Sequence, residues 1–297
     1  SFLFSGQSYY IDSTANVIAV DGELTLAEAL AASSSDTAVG DAPAGGTNDQ
    51  ILFAPELAGS TIEVSQTTTI GSGSQLLFYG DADQDGTADI TVRMAADSSA
   101  AAGAGTPSEH IGRHFNVETG GTLILDGSSL AAGSVAGNGG AIFNEGDLTL
   151  IDVALTENSA ARGGAIYNSG EVQTLNSSFV GNQATGNGVG DGGGAIFNAD
   201  GTLKLTGSTF TNNSALGDFG TGGAISSVDG FARLINGTMT MNSAFFAGGA
   251  VSGSANALFD MRGIVWSENS ALAPNGSGGA LHFDDTSTAN LTGTFTL

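Results

Sequence analysis

The sequence predicts an all-β fold: a right-handed parallel β-helix, a solenoid of about three short strands per coil, with an N-terminal cap that contains one short helix. Two marks in phase with each other carry that prediction. The first is a Gly-Gly-Ala step followed by Ile, Val or Leu, and its second glycines are Gly140, Gly164, Gly194, Gly223, Gly249 and Gly279. From alanine to alanine the spacing is 24, 30, 29, 26 and 30 residues, a period that signals an array of one small unit. The second mark is an apolar residue three places before an asparagine, at Leu155/Asn158, Phe179/Asn182, Phe210/Asn213, Met239/Asn242 and Trp266/Asn269. An alanine stands two residues beyond each asparagine, at Ala160, Ala184, Ala215, Ala244 and Ala271.

Between the marks run short alternating segments such as Leu148-Thr149-Leu150-Ile151 and Leu203-Lys204-Leu205-Thr206. Alternation over a few residues, bounded by Gly, Asn, Asp and Ser, reads as strand. No repeat has room for the crossover helix that parallel strands otherwise need. Each unit therefore closes into a coil, and each strand pairs in parallel with its copy one coil away. A propeller would need four strands in forty or more residues per blade. In a β-helix the double glycines suit corners with positive φ or close backbone approach. The asparagines suit an amide ladder at one corner. Leu, Phe, Met and Trp at a fixed offset from that corner are expected to stack inward as the core.

The GGA[ILV] and FxxN marks resemble the repeats of the polymorphic outer-membrane proteins of chlamydiae and related bacterial surface β-helices. Five repeats match on both marks, and the sixth, from Gly278, reaches Leu297 before its asparagine step. The later repeats lose an aromatic-Asn pair seen at Phe143-Asn144, Tyr167-Asn168 and Phe197-Asn198, where Ser226-Ser227 stands instead.

Residues 1–112 carry no clean repeat and are expected to form the cap and the first irregular coils, with 113–297 as the repeat array. Leu24 to Ala32 is the convincing helix, rich in good formers, with Leu24, Leu26 and Leu30 facing the first coils as a plug. A cap is needed because an open solenoid end exposes pairing groups and core. Thr25 to Leu30 ("TLAEAL") followed by Asp49 to Ile62 ("DQILFAPELAGSTI") and an aspartate-rich loop resembles the N-terminal module of secreted CSLREA-type bacterial β-helix proteins, without its Cys-Ser-Leu-Arg start. Arg113 to Val117 and Gly120 to Leu125 read as the first full coil. Ala95 to Pro107, rich in Ala, Gly and Ser, reads as an excursion from the helix.

Thirty acidic residues stand against six basic ones, a net charge of −24. That balance disfavours nucleic acid and anionic membranes as partners. There is no cysteine, so no disulfide scaffold. No apolar run approaches a membrane span. With no initiating methionine and no signal peptide, the chain is expected to be processed or part of something longer, its array continuing or assembling past Leu297.

The sharpest local motif is Asp81-Ala82-Asp83-Gln84-Asp85-Gly86-Thr87-Ala88-Asp89. Carboxylates at alternate positions before a glycine turn can converge on a hard cation. The motif resembles the first half of an EF-hand loop, but Val92 stands where that family has its bidentate Glu, so Asp89 would complete the set. We expect a structural Ca2+ at Asp81, Asp83, Asp85 and Asp89, the alternative being a solvated acidic turn. Glu109-His110-Ile111-Gly112-Arg113-His114 gathers two histidines, yet Gly112 and the following strand argue for a coil corner over a metal site.

A polysaccharide lyase would need basic residues to neutralise a uronate, and a hydrolase facing carboxylates. Arg162, Lys204, Arg233 and Arg262 read as scattered at differing offsets from the glycine pair. Asp284-Asp285 reads as a carboxylate pair on a strand, pointing to opposite faces. An acidic chain also reads as a poor host for polyuronate. The loops Thr185 to Gly192, Leu216 to Thr221 and Leu272 to Ser277 expand three units at the same corner, where solenoid binding specificity tends to sit. Phe219, Phe245 and Phe246 lie there as a candidate contact patch, unless one ring of Phe245-Phe246 tucks into the stack.

The expectation is a non-catalytic, secreted or cell-surface protein acting as adhesin, stalk or matrix component. Its partners would be other surface proteins, glycans or copies of itself. One alternative is a head-to-tail filament or surface-layer subunit assembled through open ends, with Phe2, Phe4, Phe295 and Leu297 as contact candidates. The other is a polysaccharide-active β-helix enzyme.

Overall fold

A computed structural model describes residues 6–96 and 112–292. Every strand pairing it contains is parallel, and each strand pairs with the equivalent strand of the coil before and after. One coil shows the plan: Glu171–Leu175, then Ser178–Val180, then Gln183–Ala184, then Ile196–Ala199, before the next coil begins at Thr202–Thr206. Stacked, these segments give a first sheet of ten strands, second and third sheets of eight, and a short ladder of five two-residue strands among the described residues. The architecture is a parallel β-helix of eight coils, from Asn48–Phe53 to Leu281–Phe283.

Alternation decides what faces inward. In Thr202–Thr206, Leu203 and Leu205 are buried while Thr202, Lys204 and Thr206 face out. The residue three before each repeat asparagine forms an internal stack, Leu155, Phe179, Phe210, Met239 and Trp266, all buried. Phe179 and Phe210 lie parallel with centroids 4.5 Å apart. Burying a side chain of this size contributes about 1.5–3 kcal/mol, and one such row repeats in every coil.

Residues 1–112 hold coil strands as well as the cap helix. Asn48–Phe53, Thr61–Val64 and Thr68–Ile70 already form a full coil, in register with Gln75–Tyr79, Ile90–Met94 and Phe115–Val117. One full coil and two strands of the next therefore precede Arg113 to Val117, which closes the second coil instead of opening the first. The repeat marks belong to the corner between the second and third sheets. In the first coil that corner is only the short link from Val64 to Thr68, so neither mark is needed there.

The helix runs Leu26–Ser35, later than Leu24 to Ala32, because Thr25 caps it. Thr25 Oγ1 accepts from the Glu28 amide at 3.3 Å and Glu28 Oε2 accepts from the Thr25 amide at 3.0 Å, a capping box that fixes the start. Leu26, Ala29, Leu30 and Ala32 are buried against the first coil, and Leu24 packs on its edge. Ser8–Ile11 adds one more strand to the first sheet by pairing with Asn48–Phe53.

Candidate functional site

The repeat corner is built from its asparagines. Each Asn Nδ2 donates to the Oδ1 of the next, Asn158 to Asn182 at 3.0 Å, Asn182 to Asn213 at 2.9 Å, and Asn213 to Asn242 and Asn242 to Asn269 at 3.0 Å. The same Oδ1 atoms accept the backbone N–H of the preceding asparagine. Beside them, Gly163, Gly193 and Gly222 have φ of 62°, 63° and 61°. The second glycine admits the neighbouring coil: a Cβ on Gly164 would sit 2.2 Å from the Gly194 carbonyl, and one on Gly194 2.1 Å from that of Gly223. The two glycines thus have separate reasons, left-handed backbone at the first and close approach at the second.

A second ladder runs along the third sheet, which sequence reasoning did not identify. Asn144 Nδ2 donates to Asn168 Oδ1 and Asn168 Nδ2 to Asn198 Oδ1, both at 2.7 Å, and Asn198 Nδ2 reaches Ser227 Oγ at 3.0 Å. The aromatic-Asn pairs were its signal. Phe143, Tyr167 and Phe197 stack outside it with centroids 5.1 and 5.6 Å apart, flanked by Arg113 and Arg162.

On this rigid corner the expanded loops form a ridge. The residues just past the short ladder, Leu216, Phe245 and Leu272, occupy equivalent positions, each amide donating to the alanine carbonyl of the preceding coil. Leu216, Phe219, Phe245, Phe246 and Leu272 are between 36% and 57% exposed. Neither Phe245 nor Phe246 tucks into the stack; Phe246 instead meets Phe219, centroids 6.3 Å apart. The loops bond to one another: Asp218 N to Asn187 Oδ1 at 3.2 Å, Phe246 N to the Gly220 carbonyl at 2.9 Å, and Ser277 N to the Phe246 carbonyl at 3.2 Å. Asp191 closes the first loop, accepting from Gly188 N at 2.7 Å and pairing with Arg162. A contiguous apolar strip on an ordered scaffold is the usual sign of a contact surface.

In the aspartate loop, one oxygen each from Asp81, Asp83 and Asp89 lies within 4.8 Å of the others. Asp85 is not among them; its Oδ1 accepts from Thr87 N and Oγ1 at 2.9 and 2.6 Å, which holds its carboxyl below the ordinary range. The Asp83 carboxyl is pushed up, first by lost hydration and also by Asp85, Asp89 and Asp81, against the Asp85 amide that pulls it down. Asp81 accepts from the amides of Asp85 and Gly86, and Asp89 from those of Ala82 and Asp83. These bonds set the loop's shape and leave each carboxylate further lone pairs for a hard cation.

The basic residues are less scattered than the sequence reading held. Lys204, Arg233 and Asp260 are register partners on the outer face of the first sheet. Lys204 Nζ lies 2.7 Å from Glu171 Oε1, Arg233 Nε 3.1 Å from Asp260 Oδ2, and Arg262 Nε 2.8 Å from Asp260 Oδ1. Lys204 follows Gly194 by ten residues and Arg233 follows Gly223 by ten, so the signal was in the sequence. Asp284 lies past the end of its strand, and burial that pushes its carboxyl up is outweighed by hydrogen bonds from Ala255, Ser287 and Thr286 that bring it to about 2.

His114 is buried, with Nε2 3.1 Å from the Val92 carbonyl, and Arg113 lies over the Phe143 ring; both serve a coil corner. Glu109 and His110, like Phe2, Phe4, Phe295 and Leu297, lie outside the described residues. A cavity of about 500 Å³ lies at the seam of helix and first coil beside Leu30, Ser34, Val64 and Gln66, and no titratable side chain lines it among the described residues. Compared with known protein families, with characterised proteins and with solved structures, the chain gives no match.

Proposed function

We propose that this chain is a non-catalytic, secreted or cell-surface protein, an adhesive or structural rod whose working surface is the corner ridge. The observation that carries the reading is the in-register exposure of Leu216, Phe245 and Leu272, with Phe219 and Phe246 beside them. Side chains of this kind stacked one coil apart are unfavourable in water and favour a partner that covers them. An apolar strip of this kind suits the surface of another protein. Eight coils at about 4.8 Å give a shaft of about 38 Å, and the asparagine ladders make it stiff. Calcium at Asp81, Asp83 and Asp89 has a structural role in this reading, pinning the loop between Gln75–Tyr79 and Ile90–Met94.

The test is binding of the immobilised chain to a panel of extracellular-matrix and cell-surface proteins, and to itself, beside a Phe219→Ser/Phe246→Ser double variant. We expect at least one protein partner whose binding falls tenfold or more in the variant. A panel with no ridge-dependent partner overturns the reading. Filaments in electron micrographs of the free chain, unaffected by the double variant, replace it with assembly through the solenoid ends.

A further inference from the structure

The outer face of the first sheet carries a second site, separate from the ridge. The chain has six basic residues, and three of them, Lys204, Arg233 and Arg262, stand on three successive strands of this face. Their carboxylate partners lie deeper than they do: Asp260 is 11% exposed and Glu171 34%, whereas the cations are 42% to 54% exposed. The carboxylates therefore act as anchors that fix the direction of the cations and leave their outer surfaces free for a ligand. Arg233 is gripped twice, through Nε by Asp260 and by its guanidinium over the Phe231 ring at 5.6 Å. Preorganised cations lose less freedom on binding than mobile ones.

Register adds two rows beside the charges. Thr149, Gln173, Lys204 and Arg233 form one outward row of hydrogen-bonding groups. Ile151, Leu175, Thr206 and Ile235 form the next, mostly aliphatic. Together they line a groove of about 450 Å³ that runs along the solenoid axis. A polar edge with fixed cations beside an aliphatic edge matches a sugar chain, whose hydroxyls and carboxylates lie on its rim and whose ring faces are apolar.

We infer that this groove binds a carboxylate-bearing polysaccharide laid along the axis, its uronate groups meeting Lys204 and Arg233. The net charge of −24 made the chain look a poor host for such a polymer. The groove departs from that locally, because Lys204 and Arg233 line it and no carboxylate among the described residues does, although Glu171, Asp147, Asp126 and Asp260 stand elsewhere on the same face. Repulsion from the remaining surface is screened beyond about 8 Å at physiological salt.

The experiment is calorimetric titration of the whole chain with a galacturonate hexasaccharide at physiological salt, with maltohexaose as the neutral control. Saturable binding of the uronate, at least tenfold weaker in Lys204→Gln/Arg233→Gln and unchanged in Phe219→Ser/Phe246→Ser, supports the groove. Circular dichroism checks that both variants keep their strands, since Gln removes charge while retaining a long polar stem. No binding at millimolar uronate, equal binding of maltohexaose, or full affinity in Lys204→Gln/Arg233→Gln overturns it. Loss confined to the ridge variant also overturns the groove, and would leave the ridge as the adhesive surface.

Discussion

A single asparagine in the ladder meets more partners than its size implies. Asn213 Nδ2 donates to Asn242 Oδ1 at 3.0 Å and to the Phe179 carbonyl at 2.9 Å, while its Oδ1 accepts from the side chain and backbone of Asn182 at 2.9 and 3.1 Å. All of these atoms are buried, so Asn213→Ala leaves donors and acceptors that water cannot reach. We expect a loss of about 2–4 kcal/mol, read as a lower urea midpoint. A loss under about 1 kcal/mol would mean that the ladder fills space without contributing hydrogen bonds. Gly194→Ala tests the other half of the corner. Its Cβ would meet the Gly223 carbonyl at 2.1 Å, backbone that cannot step aside without parting two coils. A comparable destabilisation, about 2–4 kcal/mol, is expected there from steric conflict alone.

At the scale of elements, the corner between the second and third sheets was legible because its requirements fall on residue identity: Gly where φ is positive, Gly where coils touch, Asn where amides ladder. The first coil escaped because Ser65 to Thr67 turns that corner without either residue. The basic face escaped for another reason: Arg262 stands thirteen residues past Gly249, and that different offset masks the ten shared by Lys204 and Arg233. One buried side chain now makes the first coils testable. Lost hydration pushes His114 down to about 4, against the Val92 carbonyl that favours its proton. Its folded value lies below the unfolded one near 6.5, so the unfolded chain binds the extra proton. Stability is full above about pH 6.5 and falls as pH drops toward 4, by about 3 kcal/mol if His114 alone titrates. A His114→Gln chain should show a flatter urea midpoint between those values, and equal slopes would remove His114 as the cause. The aspartate loop gives a second test in the same region. Calcium should raise the melting temperature at neutral pH, and Asp83→Asn should abolish most of that rise; a rise that survives Asp83→Asn would place the cation elsewhere.

Over the whole molecule, charge and topology pull in opposite directions. A solenoid is held by contacts between neighbouring coils, which bring equivalent positions to about 4.8 Å of one another. Such stacking suits amides and aromatic rings, and it crowds carboxylates. Asp126 shows the effect: lost hydration raises its carboxyl, and Asp152 and Asp81 raise it further. A carboxyl raised in the folded state weakens folding at neutral pH and regains that stability as pH falls through its folded value, opposite in sign to His114. With 30 acidic groups against 6 basic ones, and three of the basic ones gathered on one face, most of the surface has no local compensation. The Debye length shrinks from about 30 Å at 10 mM salt to about 10 Å at 100 mM, which cuts repulsion across several coils at once. Sodium chloride should therefore raise the melting temperature by several degrees over that range, about 1–2 kcal/mol of relieved self-repulsion. Because screening has no site, Asp83→Asn should keep most of this rise while losing the one produced by micromolar calcium. A melting temperature that is flat or falls from 10 to 100 mM would show that the coils tolerate their charge through local pairing, and that −24 is no burden on the fold.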